Sequence, residues 1–161
     1  MGRVFFNTRS HTHELTTGTY QCLASDSNKS FMLNTTGILA ITLPADADIE
    51  IGWNARFVMV TDATATAITI KASAPDAQNF IGGVVNMMTA ASAASAFGSY
   101  ITSAIGDTNS QIALDHDLAN NEAAVGTDIN ITKTAANTFF VSGLVATTDA
   151  DGTGAAIFSD I

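Results

Sequence analysis

The stretch that decides the fold class runs Arg56-Phe57-Val58-Met59-Val60-Thr61, then Asp62-Ala63-Thr64-Ala65-Thr66, then Ala67-Ile68-Thr69-Ile70-Lys71-Ala72. The first six residues form an apolar run rich in side chains that suit a pleated surface. The next five are small or polar and read as a turn. The last six alternate strictly, so an extended chain sends Ile68 and Ile70 to one face and Thr69 and Lys71 to the other. Two strands joined by a polar connection is the reading, and it sets the period for the rest of the chain.

The same period continues outward. Toward the N-terminus, residues 38–43 place Leu39, Ile41 and Leu43 on one face and Ile38, Ala40 and Thr42 on the other, before Pro44 ends the run. Residues 19–23 and 30–34 are predicted as the first two strands, separated by the turn Asp26-Ser27-Asn28-Lys29. Toward the C-terminus, Phe80-Ile81 leads into Gly82-Gly83, where a bulge or tight bend is expected. Residues 88–97 (MTAASAASAF) are alanine-rich but diluted by Ser and Thr, and hold at most one short helix. Strands are expected at 100–105, 111–114 and 128–132. A closing hairpin is expected from 138–147, a turn at 149–154 and residues 155–158. About ten short strands with turn signals about every 8–12 residues predict an all-β chain, a β-sandwich with jelly-roll-like connectivity. The predicted organisation is an N-terminal arm over residues 1–18 and a single sandwich domain over residues 19–161.

Charge narrows the function. Fifteen acidic residues oppose six basic ones in the 161-residue chain, for a formal net charge of −9. The second half carries Lys133 as its one base. Such a surface repels phosphate backbones and has no basic stripe to release counterions, so no nucleic-acid partner is expected. Only 13% of residues are charged, about half the usual ~25%. Ala and Thr supply much of the rest. Small neutral faces suit a protein covered by copies of itself or by a larger assembly. No stretch approaches the ~18 consecutive apolar residues of a membrane helix, and residues 1–14 lack the apolar run of a secretory signal, so no membrane partner is expected.

Candidate chemistry is thin. His11 and His13 would point the same way in an extended segment, as two imidazoles on one metal require, but no third ligand lies nearby and a solvated segment is the stronger reading. Asp115-His116-Asp117 would split across two faces of a strand and fail to converge. Asp149-Ala150-Asp151-Gly152-Thr153-Gly154 matches the opening of a calcium loop, yet position twelve is Asp160 and the flanks read as strands. A glycine-rich turn explains it better. Cys22, the lone cysteine, sits beside Leu23 in a predicted strand, the usual place of an inert buried thiol. Trp53 follows Gly52 and is expected to staple its loop to the core. With no nucleophile elbow, P-loop or dinucleotide fingerprint, the chain is read as a non-enzyme that needs no metal or cofactor.

A resemblance adds to this. Ala24-Ser25-Asp26-Ser27, the strand Lys29-Ser30-Phe31, the turn Asn34-Thr35-Thr36-Gly37, Ile41-Thr42-Leu43-Pro44, Gly52-Trp53 and the Ile81-Gly82-Gly83 turn follow in an order that resembles β-sandwich modules of bacteriophage structural proteins. Those modules occur in head fibres, tail-fibre knobs and capsid decoration (cement) proteins. Phe140-Val141-Ser142-Gly143-Leu144-Val145-Ala146-Thr147 is similar to their final strand. The resemblance implies a virion component, expected as a homotrimer. The short lead before the first predicted strand favours a decoration protein over a shafted fibre. Its partner would then be the major capsid protein, on the capsid surface of a virion assembled in the host cytoplasm. Residues 2–14 are the expected capsid-gripping arm, with Arg3 and Arg9 as bases and Phe5 and Phe6 as an apolar anchor. The alternative is a receptor-binding head-fibre or tail-fibre knob that recognises a host surface glycan.

Overall fold

The structure, a computed structural model, describes residues 11–35, 37–61, 68–74, 77–88, 98–102, 109–114, 123–147 and 158–159. Twelve strands occupy them. In chain order they are β1 (Thr12–Leu15), β2 (Gly18–Gln21), β3 (Lys29–Leu33), β4 (Leu39–Thr42), β5 (Asn54–Met59) and β6 (Ile68–Lys71), followed by β7 (Asn79–Met88), β8 (Gly98–Thr102), β9 (Gln111–Leu114), β10 (Asp128–Ala135), β11 (Thr138–Thr147) and β12 (Phe158–Ser159). Two single 3₁₀ turns, Ala24–Asp26 and Asp46–Asp48, are the helical elements among the described residues. The chain is an all-β sandwich. One sheet has seven strands in the order β1-β3-β5-β10-β11-β7-β8, and the other has five in the order β12-β9-β6-β4-β2.

The path between the sheets is not that of a jelly roll, whose neighbouring strands run antiparallel. From β1 to β6 successive strands alternate between the two sheets, so each return to a sheet lays the new strand beside the last one in the same direction. The result is two parallel ladders, β1-β3-β5 and β2-β4-β6. Parallel neighbours need a crossover, and here a strand of the opposite sheet supplies it. β9 and β10 then close antiparallel on β6 and β5. β11 turns back on β10 and runs parallel to β7.

Register explains the core. Ile41, Ile70, Ile112 and Phe158 stand in one row of the five-stranded sheet, and Leu39, Ile68 and Leu114 in the next. In the seven-stranded sheet Phe31 pairs with Phe57, their rings stacked at 5.2 Å and 14°. All these side chains are buried. Strict alternation within each strand makes this possible, because every second residue faces the opposite sheet.

Three local expectations change. Residues 12–15, assigned to the arm, form β1: their alternation is short, but β3 offers an open edge and Thr12 to Leu15 pair along it from Ser30 to Leu33. The expected bend at Gly82-Gly83 is absent. β7 runs through it in unbroken register with β11, while Gly82 alone takes φ +102°. The closing hairpin is also absent, since β12 pairs with β9 in the other sheet. The hairpin at this end of the chain joins β10 to β11 instead, across Ala136-Asn137, with Asn137 left-handed at φ 55°. Asparagine tolerates that conformation better than most residues.

Candidate functional site

The arm residues Arg3, Phe5, Phe6 and Arg9 lie outside the described residues, as do Asp115-His116-Asp117 and the run from Asp149 to Gly154. His13 is exposed on β1 and rests against aromatic rings, 5.2 Å from Tyr20 and 5.9 Å from Phe31. Among the described residues no three His, Cys, Asp or Glu side chains gather as metal ligands. Cys22 is buried, and that burial pushes its thiol up to about 12. Trp53 staples its loop as expected: it is buried, its indole Nε1–H donates to the Leu23 carbonyl at 3.3 Å, and it meets Phe139 edge-on.

Two polar networks fasten the loops near Trp53. Asp26, buried in its 3₁₀ turn, accepts hydrogen bonds from the Tyr20 hydroxyl (3.0 Å), the Leu23 N–H (2.8 Å) and the Lys29 ammonium (2.6 Å). Burial alone would raise this carboxyl. The Lys29, Leu23 and Tyr20 bonds together outweigh it and hold Asp26 below the usual carboxylate range. The second network centres on Lys133. Its place in β10 faces inward, and its buried Nζ donates to the carbonyls of Asp46 (2.7 Å) and Ile49 (2.8 Å) and pairs with the Asp46 carboxylate at 2.8 Å. That lysine bond, more than any other interaction, draws Asp46 below its ordinary value. In the sequence Lys133 is the lone base of the acidic half, and nothing local shows what its ammonium would meet inside.

Between these loops lies an open cleft of about 480 Å³, lined by Gln21, Cys22, Leu23, Pro44, Asp48 and Ser73 among others. A shallower one of about 270 Å³ adjoins it through Ala24 and Asp48 and reaches Glu50 and Trp53. Trp53 is buried in the core, so it offers no open face for stacking on a sugar.

The outer face of the seven-stranded sheet is the more distinctive surface. One row across it reads Glu14, Met32, Val58, Asp128, Leu144 and Val85 in successive strands. Phe140 pairs with Ile81 on one side of this row, and Ala146 with Met87 on the other. Ile81, Val85, Met87 and Phe140 are each 38–48% exposed. Exposed Val60 and Val125 extend the apolar area past the strand ends, where the Gly126 N–H donates to the Met59 carbonyl and the Ala124 N–H to the Ala146 carbonyl. Between β3 and β7 the charges among the described residues of this face are Arg56 and Asp128. They bond to each other through the guanidinium Nε and Nη2 and both carboxylate oxygens. Sequence reading missed this surface because Val58 and Val60 were taken simply as part of an apolar strand, with no partner sheet to say which residues were left outside.

The chain matches no family model, no curated protein and no solved structure.

Proposed function

We propose that this chain is a non-enzymatic virion structural protein, a capsid decoration protein that binds the exterior of an assembled phage capsid as an oligomer and stabilises it. The apolar, charge-poor outer face of the seven-stranded sheet is the observation that carries the reading. A sandwich living alone in water covers such a face with polar side chains, whereas a component of a larger assembly buries it. The resemblance of residues 24–83 and 140–147 to phage sandwich modules points the same way.

Mechanism under this reading is mass action. A protein that binds the assembled lattice and has no affinity for dissociated or unfolded capsomers shifts the equilibrium toward the lattice, by an amount that grows with occupancy. The N-terminal arm, with Arg3, Phe5, Phe6 and Arg9, grips the capsid. Its natural limit is Ser10, because Thr12 already belongs to β1.

The test is co-sedimentation with the capsid shells of the virus that encodes the chain, stripped of their decoration. Full-length protein is expected to pellet with the shells to saturation, and a form lacking residues 1–10 to remain folded in the supernatant. Full-length protein that stays in the supernatant overturns the proposal. Equal occupancy by the shortened form overturns the role of the arm.

A further inference from the structure

We infer that copies of this chain associate with one another through the outer face of the seven-stranded sheet, centred on β5, β10, β11 and β7. The inference rests on the oligomeric part of the reading above and gives it a place on the molecule.

The two outer faces of the sandwich differ in kind. On the five-stranded sheet the outward positions of β4, β6 and β9 hold Ala40, Thr42, Thr69, Lys71, Gln111 and Ala113, small or polar throughout. On the seven-stranded sheet the outward positions of β5 and β10 are largely polar, with Arg56, Asn130 and Thr132. Val58, Leu144, Phe140, Ile81 and Val85, however, stand together as an apolar patch that spreads over β11 and β7. The same chain therefore follows the polar-outside pattern on one sheet and departs from it on the other over β7 and β11.

Charge selects a second copy as the occupant. With a net charge of −9, two copies repel each other over most of their surface. The centre of this face is neutral, because Arg56 and Asp128 cancel. The Arg56–Asp128 pair is complementary to its own copy across a two-fold axis, as an isologous interface requires. This contact therefore joins copies in twos and not as the homotrimer that the resemblance implies. A basic partner would be drawn to the acidic remainder of the molecule instead.

Area is sufficient. Strands of four to ten residues at ~3.3 Å per residue, seven abreast at ~4.8 Å, span about 750 Å². That is close to the ~800 Å² per partner of a standard stable interface.

The experiment is the solution mass of the full-length chain by light scattering and sedimentation over a wide concentration range. The wild type is expected at a multiple of 16.6 kDa. Val85→Asp, which buries a charge in the contact, is expected to weaken association about 100-fold. Met87→Gln, nearly the same shape and without charge, preserves the fold and is expected to weaken it about tenfold. Thr69→Asp, on the other sheet, leaves the mass unchanged. A monomeric wild type overturns the inference, and so does an oligomer whose mass resists both Val85→Asp and Met87→Gln. That second result leaves the capsid reading standing. Dissociation by these substitutions supports the interface whether or not the protein pellets with capsids.

Discussion

Asp26 shows how a single side chain can anchor a loop. Its carboxylate is buried and accepts three hydrogen bonds, one from an ammonium. Replacing it with Asn keeps the shape but loses the charge, and leaves Lys29 facing a weaker acceptor. Asp26→Asn is expected to cost about 2 kcal/mol, read from urea unfolding at neutral pH. The pH dependence follows from the same contacts. Asp26 and Asp46 both lie below their ordinary value of 3.8 in the folded chain. As the pH falls, the unfolded chain therefore takes up these protons first. Their stabilisation is complete above that value and drains away as pH drops through the lower folded values. At the alkaline end burial, the largest cause in each case, raises Cys22 from 9.0 and Tyr20 from 10.0 to about 12. The unfolded chain loses these protons first. Stability is intact below pH 9.0 and falls as the pH climbs toward about 12. Thermal melts across pH should show a plateau with both edges, and Asp26→Asn should flatten the acid one. An acid edge of unchanged slope in that variant would assign it to other groups.

At the scale of the element, β11 depends on Gly143. This residue pairs with Ile129 at φ +148°, and a Cβ added there would stand 2.1 Å from the Asp128 carbonyl oxygen. No side chain fits without moving β10. Gly143→Ala is expected to destabilise the sandwich by about 3 kcal/mol or more, seen as a lower urea midpoint with an unchanged slope. A loss under about 0.5 kcal/mol would mean that β10 and β11 separate easily. Gly82 is under the same constraint, with its added Cβ 2.3 Å from the Val141 carbonyl. The sequence marks both glycines as exceptions within apolar strands. It gives no sign that the exception is a close backbone approach inside a continuous ladder and not a bend, because the approaching strand is remote in sequence. Lys133 is a related case. Its alternation with Ile129 and Ile131 points it inward, but only the fold brings the Asp46 and Ile49 carbonyls to its ammonium.

For the whole molecule, the order in which strands meet governs folding. β1-β3-β5 and β2-β4-β6 each assemble only after the chain has crossed to the opposite sheet and back, and β12 reaches β9 from the far end of the chain. Contacts of that kind carry a loop-closure cost before they return any burial. Refolding after dilution from urea is expected in the range of about ten milliseconds to seconds, by stopped-flow tryptophan fluorescence of Trp53. A sub-millisecond phase carrying the full amplitude would contradict this topology.

Period-two alternation, punctuated by Pro44, Gly52 and polar turns, determined from the sequence alone that the chain is all-β. In two strands it also divided the faces, with Ile68 and Ile70 turned inward and Leu39 and Ile41 sharing the face that the fold buries. Those are local properties, set by the pleat and by side-chain chemistry within a few residues. Strand partners were decided only by the tertiary structure. Backbone N–H and C=O groups are the same in every strand, so hydrogen bonding does not distinguish a jelly roll from a chain that alternates between sheets in parallel ladders. The outer apolar face and the interior Lys133 follow from that choice of partners, since burial on a sheet depends on what lies across from it.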